Sequence, residues 1–207
     1  MKNIGYQIRR KIAQSVDSLL GLKSIPLRAD GPVDAKWHLG FILNLAATLR
    51  PKNYLELGIY HCGLFNDIIP FAEKLTGVDI APEAGRYMAK DAKARFVCSS
   101  TDDYAARLRE TGETFDLIFI DADHSRQAVR KDFTNYIEFL RPHGLLMLHD
   151  THPLDEAATA AERCGDGYLS IDELSRQTER WEMMTVPLHP GLTLCRKRRA
   201  QLSWKEK

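Results

Sequence analysis

The chain has 207 residues, with 29 lysines and arginines against 28 aspartates and glutamates, 44% hydrophobic residues and 28% charged residues. This near-zero charge balance excludes an acidic disordered chain and a protein whose whole surface is a basic nucleic-acid footprint. A chain of this length buries roughly 70% of its unfolded surface, which is enough for one sizeable core. We therefore expect one domain with terminal additions.

The chain has no pattern typical of a membrane-spanning or secreted protein. Its longest nearly apolar stretch, residues 41–49, is far shorter than the ~20 residues that cross a bilayer. The N-terminal residues lack both a continuous apolar segment and a small-residue cleavage site. The four cysteines are widely spaced and form neither a CxxC pair nor a disulfide framework. These features predict a protein of the reducing cytoplasm.

The first 33 residues are predicted to lie outside the main domain. Apolar residues recur there at helical spacing, at Ile4, Ile8, Ile12, Val16 and Leu19. This pattern predicts an amphipathic helix over residues 3–20 that packs on its own domain, on a second copy in a homodimer, or on a membrane surface. Residues 21–33 contain two glycines and two prolines and indicate a connector. The main domain is predicted at residues 34–199, and a basic tail at 200–207.

From residue 34 onwards, predicted helices alternate with short apolar strands. In chain order the elements are a helix at 39–49, a strand at 53–57, a helix after Gly63, a strand at 75–80, a helix after Pro82, a strand at 95–99, a helix at 103–109, a strand at 115–121, a helix at 125–140 and a strand at 144–150. Short apolar strands separated by helices are typical of a parallel sheet with helices on both faces. The predicted fold class is therefore α/β, with a Rossmann-like, doubly wound sheet.

The end of the chain breaks this alternation. Two strand-like runs, WEMMTVP at 181–187 and GLTLCRK at 191–197, are separated only by the three residues LHP. This link is too short for a helical crossover, so the two strands are predicted to form an antiparallel hairpin.

Candidate binding residues follow from the rule that ligands of an open parallel sheet lie beyond the carboxyl ends of its strands. Gly58 allows a tight turn after the first strand and Gly63 begins a helix, although Tyr60 stands where a dinucleotide-binding fingerprint has a glycine. Asp79 ends the second strand 21 residues after Gly58, which suits a carboxylate that binds ribose hydroxyls. The alternative role for Asp79 is a helix N-cap before Pro82.

The loop after the third strand is polar and has two interpretations. Ser100, Thr101 or Asp102 is predicted to meet the edge of an adenine. N-capping of the next helix by Thr101 or Asp102 explains the same residues equally well.

Acidic residues also end the fourth and fifth strands, at Asp121 and Asp150. Neighbouring strands lie about 4.8 Å apart, so the two carboxylates are predicted to converge on a cation or a proton. An oxygen-rich site favours magnesium or manganese, whereas His149 or His124 as ligands would favour manganese, iron or zinc. His124 is the first choice of general base, ahead of His149 and His152, with capping of the next helix as its alternative role.

These residues resemble class I S-adenosylmethionine-dependent methyltransferases, in the branch of small-molecule and sugar O-methyltransferases and cephalosporin-hydroxylase-like proteins. The resemblance covers residues 52–197, and its strongest segments are YLELGIYHCG, GVDI and FDLIFIDADHSRQAVRKDFTNYIEFLRPHGLLMLHDTHP. One departure is Cys62, which occupies a position before Gly63 where relatives often have a small residue.

The resemblance implies a seven-stranded sheet of order 3-2-1-4-5-7-6 and bound S-adenosylmethionine. It implies that Glu56, Gly58 and Gly63 line the amino-acid end of the cofactor, that Asp79 binds the ribose, that residues 99–102 meet the adenine and that Asp121 faces the sulfonium. The full set of cofactor-binding residues is then Glu56, Gly58, Tyr60, Gly63, Asp79, Ile80, Ser100, Thr101 and Asp121. Metal-dependent relatives further imply a divalent ion such as magnesium or manganese held by Asp121 and Asp150, with His149 or Thr151.

The predicted function is O-methylation of a small hydroxylated molecule, such as a sugar or natural product, with no nucleic acid as partner. Asp121, His124 and Asp150 are the predicted catalytic residues. The alternatives are a nicotinamide-dependent oxidoreductase, against which Tyr60 and the terminal hairpin argue, a binding protein without turnover, and an RNA methyltransferase that uses the basic tail.

Overall fold

The computed structural model of the protein describes residues 36–198. The predicted amphipathic helix at 3–20 and the predicted basic tail at 200–207 lie outside these residues. Within 36–198, no helix is both long enough and apolar enough to cross a membrane.

Seven strands and five α-helices make up this part of the chain. The strands are β1 (Asn53–Leu57), β2 (Lys74–Asp79), β3 (Ala94–Cys98), β4 (Phe115–Ile120), β5 (Leu140–His149), β6 (Trp181–Val186) and β7 (Leu192–Lys197). The helices are α1 (Trp37–Leu49), α2 (Gly63–Ile68), α3 (Thr101–Thr111), α4 (Arg126–Tyr136) and α5 (Tyr168–Ser175).

The strands form one sheet of order β3-β2-β1-β4-β5-β7-β6. The first five strands pair in parallel, whereas β7 is antiparallel to both β5 and β6. The prediction of a mostly parallel doubly wound sheet that ends in an antiparallel hairpin is therefore confirmed. In the pairing of β1 with its neighbours, Leu57 lies opposite Val78 and Ile120, so the carboxyl ends of β1, β2 and β4 meet at one edge.

The central strands are apolar on both faces because helices cover both faces. Ile118 and Ile120 of β4 join a core formed with α3, α4 and α5, whereas Leu117 and Phe119 join a core formed with α1 and α2. Side chains alternate along a strand, so an uninterrupted apolar run is required when both faces are buried.

The segment after β2 differs from the predicted helix. It contains only a 3₁₀ turn at Ala84–Tyr87. Gly85 packs tightly against Phe96 of β3, since a Cβ atom on Gly85 would lie 2.4 Å from the Phe96 ring. Glycine and proline are poor helix formers, and this short segment instead packs closely against β3.

The starts of α3 and α4 correct two further predictions. Ser100 is the N-cap of α3, where its side chain accepts a hydrogen bond from the amide of Asp103 at 3.1 Å, so neither Thr101 nor Asp102 is the cap. Ser125 is the N-cap of α4, so His124 does not cap that helix. Both serines have the extended backbone that an N-cap requires. Thr101 is therefore the first residue of α3, and His124 precedes the N-cap of α4.

Candidate active site

A cavity of about 660 Å³ opens at the carboxyl ends of β1 to β4. Its wall includes most of the residues predicted to bind a cofactor, namely Gly58, Tyr60, Asp79, Ile80, Ser100, Thr101 and Asp121. Glu56 and Gly63 are not in this wall. The wall also contains residues that the sequence analysis did not single out, namely Val78, Ala122, Asp123, Ala128, Lys131 and Asp132.

Gly58 allows the loop after β1 to pass close to the end of β4. Its φ is +81°, and a Cβ atom at this position would lie 2.0 Å from the backbone oxygen of Asp121. No other residue type fits this close approach without a shift of the backbone. The turn predicted at Gly58 is therefore present, and it brings the β1 loop and Asp121 together.

Asp79 is fixed by two backbone amides. One carboxylate oxygen accepts a hydrogen bond from the amide of Tyr60 at 3.0 Å, and the other accepts one from the amide of Ala81 at 2.9 Å. Asp79 is not a helix N-cap, because the next helical turn is preceded by Glu83. Tyr60 and Ile80 flank the carboxylate with side chains that are 74% and 75% exposed, which leaves apolar surface for a ligand at the cavity mouth.

The loop after β3 supplies polar groups to the cavity. The hydroxyl oxygen of Ser99 is buried in the cavity wall and has no hydrogen-bond partner among residues 36–198. Buried hydroxyls are nearly always hydrogen-bonded, so the Ser99 hydroxyl is suited to bind a polar group of a ligand in the cavity. Asp102, in contrast, pairs with Lys131 at 2.6 Å.

Glu56 lies beneath the cavity in the interior of β1. It is 3% exposed and accepts a hydrogen bond from the Tyr54 hydroxyl at 2.6 Å. Burial is the main reason that the pKa of Glu56 rises to about 8, although the Tyr54 hydrogen bond opposes that rise. The carboxyl group is therefore mostly neutral at pH 7, and it is not exposed in the cavity wall.

The acids that end β4 and β5 converge on a histidine. His149 Nδ1 lies 2.9 Å from an oxygen of Asp121 and 3.4 Å from an oxygen of Asp150. His124 contacts the same two carboxylate oxygens, with Nε2 at 3.4 Å from Asp121 and Nδ1 at 3.0 Å from Asp150. Two carboxylates and two imidazoles thus form one group, which we call the acid–histidine cluster.

The two histidines compensate the charge of the two acids. Burial disfavours the charged form of His149, but Asp121 and Asp150 raise its pKa to about 10. The hydrogen bond to Asp121 has the largest effect on His124, and despite partial burial the pKa of His124 rises to about 9. Burial acts to raise the pKa of Asp121, but the imidazoles of His149 and His124 together have the larger effect and lower this pKa well below its usual range. At neutral pH both imidazoles are therefore mostly protonated.

Two contacts of this cluster were missed by the sequence analysis. His38 of α1 lies with its ring centroid 4.0 Å from that of His149, although the sequence pattern gave no reason to select it. The backbone oxygen of Arg163 lies 2.6 Å from His124 Nδ1 across 39 residues of sequence. Both contacts join segments that are distant along the chain, and no local pattern predicts them.

The donor set of the cluster fits a divalent cation. Asp121, His124 and Asp150 each offer a ligand atom, and these atoms all lie within 4.8 Å of one another. His149 Nδ1, the ligand proposed from sequence, faces both acids. A mixture of imidazole and carboxylate ligands favours manganese, iron or zinc over magnesium. The cluster can thus hold a cation or, with its histidines protonated, compensate its own charge.

Comparison with known proteins identifies the family. A family model described as a methyltransferase domain matches residues 37–151, which is more than half of the chain. No curated protein matches the sequence.

Solved structures with a similar fold include both O- and N-methyltransferases. An O-methyltransferase from Bacillus cereus in complex with SAH has a TM-score of 0.64 at 15% identity, over 91% of this chain and 90% of that one. An SAH-bound methyltransferase from Podospora anserina has a TM-score of 0.60 at 15% identity, over 96% and 98% of the two chains. The N-methyltransferase NodS from Bradyrhizobium japonicum with SAH has a TM-score of 0.57 at 18% identity, over 87% and 95%. The fold is thus shared across these structures, and the family match establishes that the chain belongs to the methyltransferase-domain family.

Proposed function

We propose that the protein transfers the methyl group of S-adenosylmethionine to a hydroxyl oxygen of a small molecule, such as a sugar or natural product. The observation that carries this proposal is that Asp79 and two members of the acid–histidine cluster, Asp121 and His124, line a single cavity. Asp79 suits the two hydroxyls of a ribose, and the cluster suits a hydroxyl that must lose its proton. A cavity with both features supports a nucleoside cofactor beside an acceptor alcohol.

The residues of the cavity wall fit the proposed cofactor. The amides of Tyr60 and Ala81 hold the Asp79 carboxylate in place before any ligand arrives. The orphaned hydroxyl of Ser99 provides a further polar contact, and Tyr60 and Ile80 provide apolar surface. When bound, S-adenosylmethionine supplies an electrophilic methyl group on a positively charged sulfur.

We assign the activation of the acceptor hydroxyl to the acid–histidine cluster. Most of the rate enhancement of a methyl transfer comes from alignment of the acceptor oxygen with the donor, about 3 to 3.5 Å apart. We assign the neutral form of His124 as the group that takes the hydroxyl proton, because it lines the cavity and because Asp150 and the Arg163 carbonyl hold its Nδ1 edge. This form is a minor fraction at pH 7, since the pKa of His124 is raised to about 9, and it grows as the pH rises. Nε2, which lies 3.4 Å from an oxygen of Asp121, is then the nitrogen that exchanges a proton with the acceptor. Alternatively, Asp121, His124 and Asp150 hold a divalent cation, which would supply polarisation of the hydroxyl.

The nicotinamide-dependent alternative has less support. The side chain of Tyr60 occupies the position where that class has a glycine, and the sheet ends in the β6–β7 hairpin.

The proposed place of action is the cytoplasm, and the proposed acceptor is a small molecule rather than a nucleic acid. A homodimer formed through residues 3–20 remains part of the proposal, and sedimentation of the full chain against a chain without residues 1–33 tests it.

The test has a binding step and a turnover step. Calorimetry should detect binding of S-adenosylhomocysteine and none of NADH; the opposite result would overturn the proposed cofactor. Labelled S-adenosylmethionine is then incubated with a panel of sugars, phenols and aliphatic alcohols, with and without chelator, and after return of magnesium, manganese or zinc. Label in an alcohol supports the proposal, whereas label only in amines would contradict O-methylation. Full activity in chelator would exclude a catalytic metal and leave His124 as the base.

A further inference from the structure

Residues 163–167, which lie in the connection between β5 and α5, form a turn against the acid–histidine cluster. The backbone oxygen of Arg163 lies 2.6 Å from His124 Nδ1. The side chain of the next residue, Cys164, is buried, and its thiol donates a hydrogen bond to the carboxylate of Asp150. Two consecutive residues of this segment, which we call the 163–167 turn, thus contact two members of the cluster.

Two glycines bring the 163–167 turn against the backbone of His124. Gly165 has a φ of +61°, and a Cβ atom on it would lie 2.4 Å from the backbone oxygen of His124. The amide of Gly167 donates a hydrogen bond to the same oxygen at 2.8 Å. A side chain on Gly165 would therefore force the two backbones apart. His124 is held at two points, at its ring by the Arg163 oxygen and at its backbone by Gly167.

The 163–167 turn is also fixed to the start of α4. The Asp166 carboxylate accepts a hydrogen bond from the amide of Arg126, the first residue of α4, at 2.6 Å. Ser170 of α5, which is fully buried, donates a hydrogen bond from its hydroxyl to the backbone oxygen of Arg126 at 2.6 Å. The turn and the helix therefore hold each other, and His124, which comes two residues before Arg126, is fixed between them.

We propose that the 163–167 turn is the positioning element of the proposed base, and that it fixes the His124 ring through the Arg163 oxygen and the Asp150 carboxylate through Cys164. The inference rests on the proposed function, which assigns the hydroxyl proton to His124. None of residues 163–167 lines the cavity, so the turn acts through the two cluster residues rather than by contact with a ligand. A displacement of about 1 Å at a reacting group can lower a rate about 100-fold, so the effect of this positioning is measurable.

The first test compares two alanine substitutions at glycines of positive φ. Gly165→Ala puts a Cβ atom against the His124 backbone. The matched control is Gly112→Ala at the end of α3, where φ is +68° and a Cβ atom meets nothing in the described part of the chain within 4 Å apart from its chain neighbours. Both substitutions introduce the same kind of backbone strain, and only the first displaces His124.

Gly165→Ala should slow methyl transfer and leave cofactor binding almost unchanged. With an acceptor from the panel, its rate should fall about 30-fold or more, because the base is displaced. The rate of Gly112→Ala should remain that of the wild type. In both variants the affinity for S-adenosylhomocysteine should change by less than about 3-fold, because both glycines lie outside the cavity wall.

A spectroscopic readout reports the position of His124 without any turnover. A proton held between His124 Nδ1 and the Arg163 oxygen should exchange slowly with water and give a downfield nuclear magnetic resonance signal at pH 7. The signal is assigned by its absence from His124→Gln. We expect it in the wild type and in Gly112→Ala, and we expect Gly165→Ala to lose it.

Three cysteine variants keep the proposal testable if Gly165→Ala does not fold. Cys164→Val removes the hydrogen-bond donor to Asp150 and should lower the rate of methyl transfer about 10-fold or more. Cys164→Ser keeps a donor and should restore the rate to within about 3-fold of the wild type. The matched control is Cys195→Val, which alters a cysteine buried in the apolar core, and it should retain the wild-type rate. Equal rates in folded Cys164→Val and Cys195→Val would contradict the positioning of Asp150.

The outcomes separate this inference from the proposed function. A wild-type rate and an unchanged signal in folded Gly165→Ala would overturn the positioning role and leave the proposed function intact. Equal losses of rate in Gly165→Ala and Gly112→Ala would also refute it, because backbone strain alone would then explain the loss. A wild-type protein that binds S-adenosylhomocysteine but methylates no alcohol would instead overturn the proposed function, and this inference with it.

Discussion

Asp79 and Asp121 line the same cavity, but the protein holds them by different means. Asp79 accepts hydrogen bonds from the backbone amides of Tyr60 and Ala81 at 3.0 and 2.9 Å. Asp121 lies against the imidazoles of His149 and His124 at 2.9 and 3.4 Å. A backbone amide donates at every pH, whereas an imidazole can lose its proton, and the pKa values of His149 and His124 are raised here to about 10 and about 9.

This difference in hydrogen-bond donors divides the cavity into a fixed region around Asp79 and a region around Asp121 whose protons can exchange. Backbone amides position Asp79 on the side of the cavity where we propose that the nucleoside binds, so this carboxylate is ready for a ligand before binding. The acid–histidine cluster is built from side chains whose protons a cation or an acceptor hydroxyl can replace. The cavity therefore combines a rigid binding half with a chemically adjustable half, and substitutions in the two halves should have separable effects.

Asp150→Asn should give the largest effect and should confine it to turnover. Asp150 lies against His124 at 3.0 Å and His149 at 3.4 Å, so its loss leaves both imidazoles without one of their two acids. We expect the rate of methyl transfer to fall about 100-fold or more, while the affinity for S-adenosylhomocysteine, measured by calorimetry, changes by less than about 3-fold. An equal loss of affinity and rate would show that the two halves are not separable.

Asp79→Ala should give the opposite pattern, with its main effect on the affinity for S-adenosylhomocysteine. The loss of hydrogen bonds to a charged group should cost about 1.5 to 3 kcal/mol of binding free energy, which is roughly a 10- to 150-fold weaker affinity for S-adenosylhomocysteine. Asp91→Ala is the matched control, because Asp91 also accepts a local amide hydrogen bond but lies outside the cavity wall. Unchanged affinity in folded Asp79→Ala would remove the ribose assignment.

Glu56→Gln tests the protonation of the acid beneath the cavity. The pKa of Glu56 is raised to about 8 in the fold, so the unfolded chain loses this proton first as the pH rises. The contribution of Glu56 to stability is therefore present below about pH 4.5 and is lost as the pH rises towards 8. Between pH 5.5 and pH 7 the wild type should lose about 2 kcal/mol relative to Glu56→Gln in urea unfolding. Parallel pH curves for the two proteins would contradict a raised pKa.

Removal of a helix cap should give the smallest effect. Ser100→Ala deletes the hydrogen bond to the Asp103 amide and should cost about 1 kcal/mol of unfolding free energy. Ser125→Ala should cost a similar amount at the start of α4. Ser100 lies on the proposed nucleoside side of the cavity, so Ser100→Ala should mainly weaken cofactor binding. Ser125 follows His124, so Ser125→Ala should mainly slow turnover. The same profile in both variants would argue against two separate halves.

The caps also illustrate how far local patterns predict this site. N-capping was one of two interpretations of the polar loop after β3, and it named Thr101 or Asp102, whereas the capping residue is Ser100. Serine, threonine and aspartate are all good N-caps, so their order of preference does not choose among neighbours. Gly58 and Asp79 were easier to identify, because a glycine turn and a strand-ending acid each occupy a position that the parallel sheet defines.

Local sequence patterns were sufficient to predict the α/β class, the sheet edge at which the acids end, and the terminal hairpin. These features depend on hydrophobic periodicity and turn residues, which act over a few neighbouring positions. The three-dimensional packing was needed to show that His149 contacts both Asp121 and Asp150. It was also needed to show that Arg163 and His38 contact the cluster and that Asp132 of α4 lines the cavity. These contacts join residues tens of positions apart, and their geometry is set by how helices pack on the sheet rather than by any local preference.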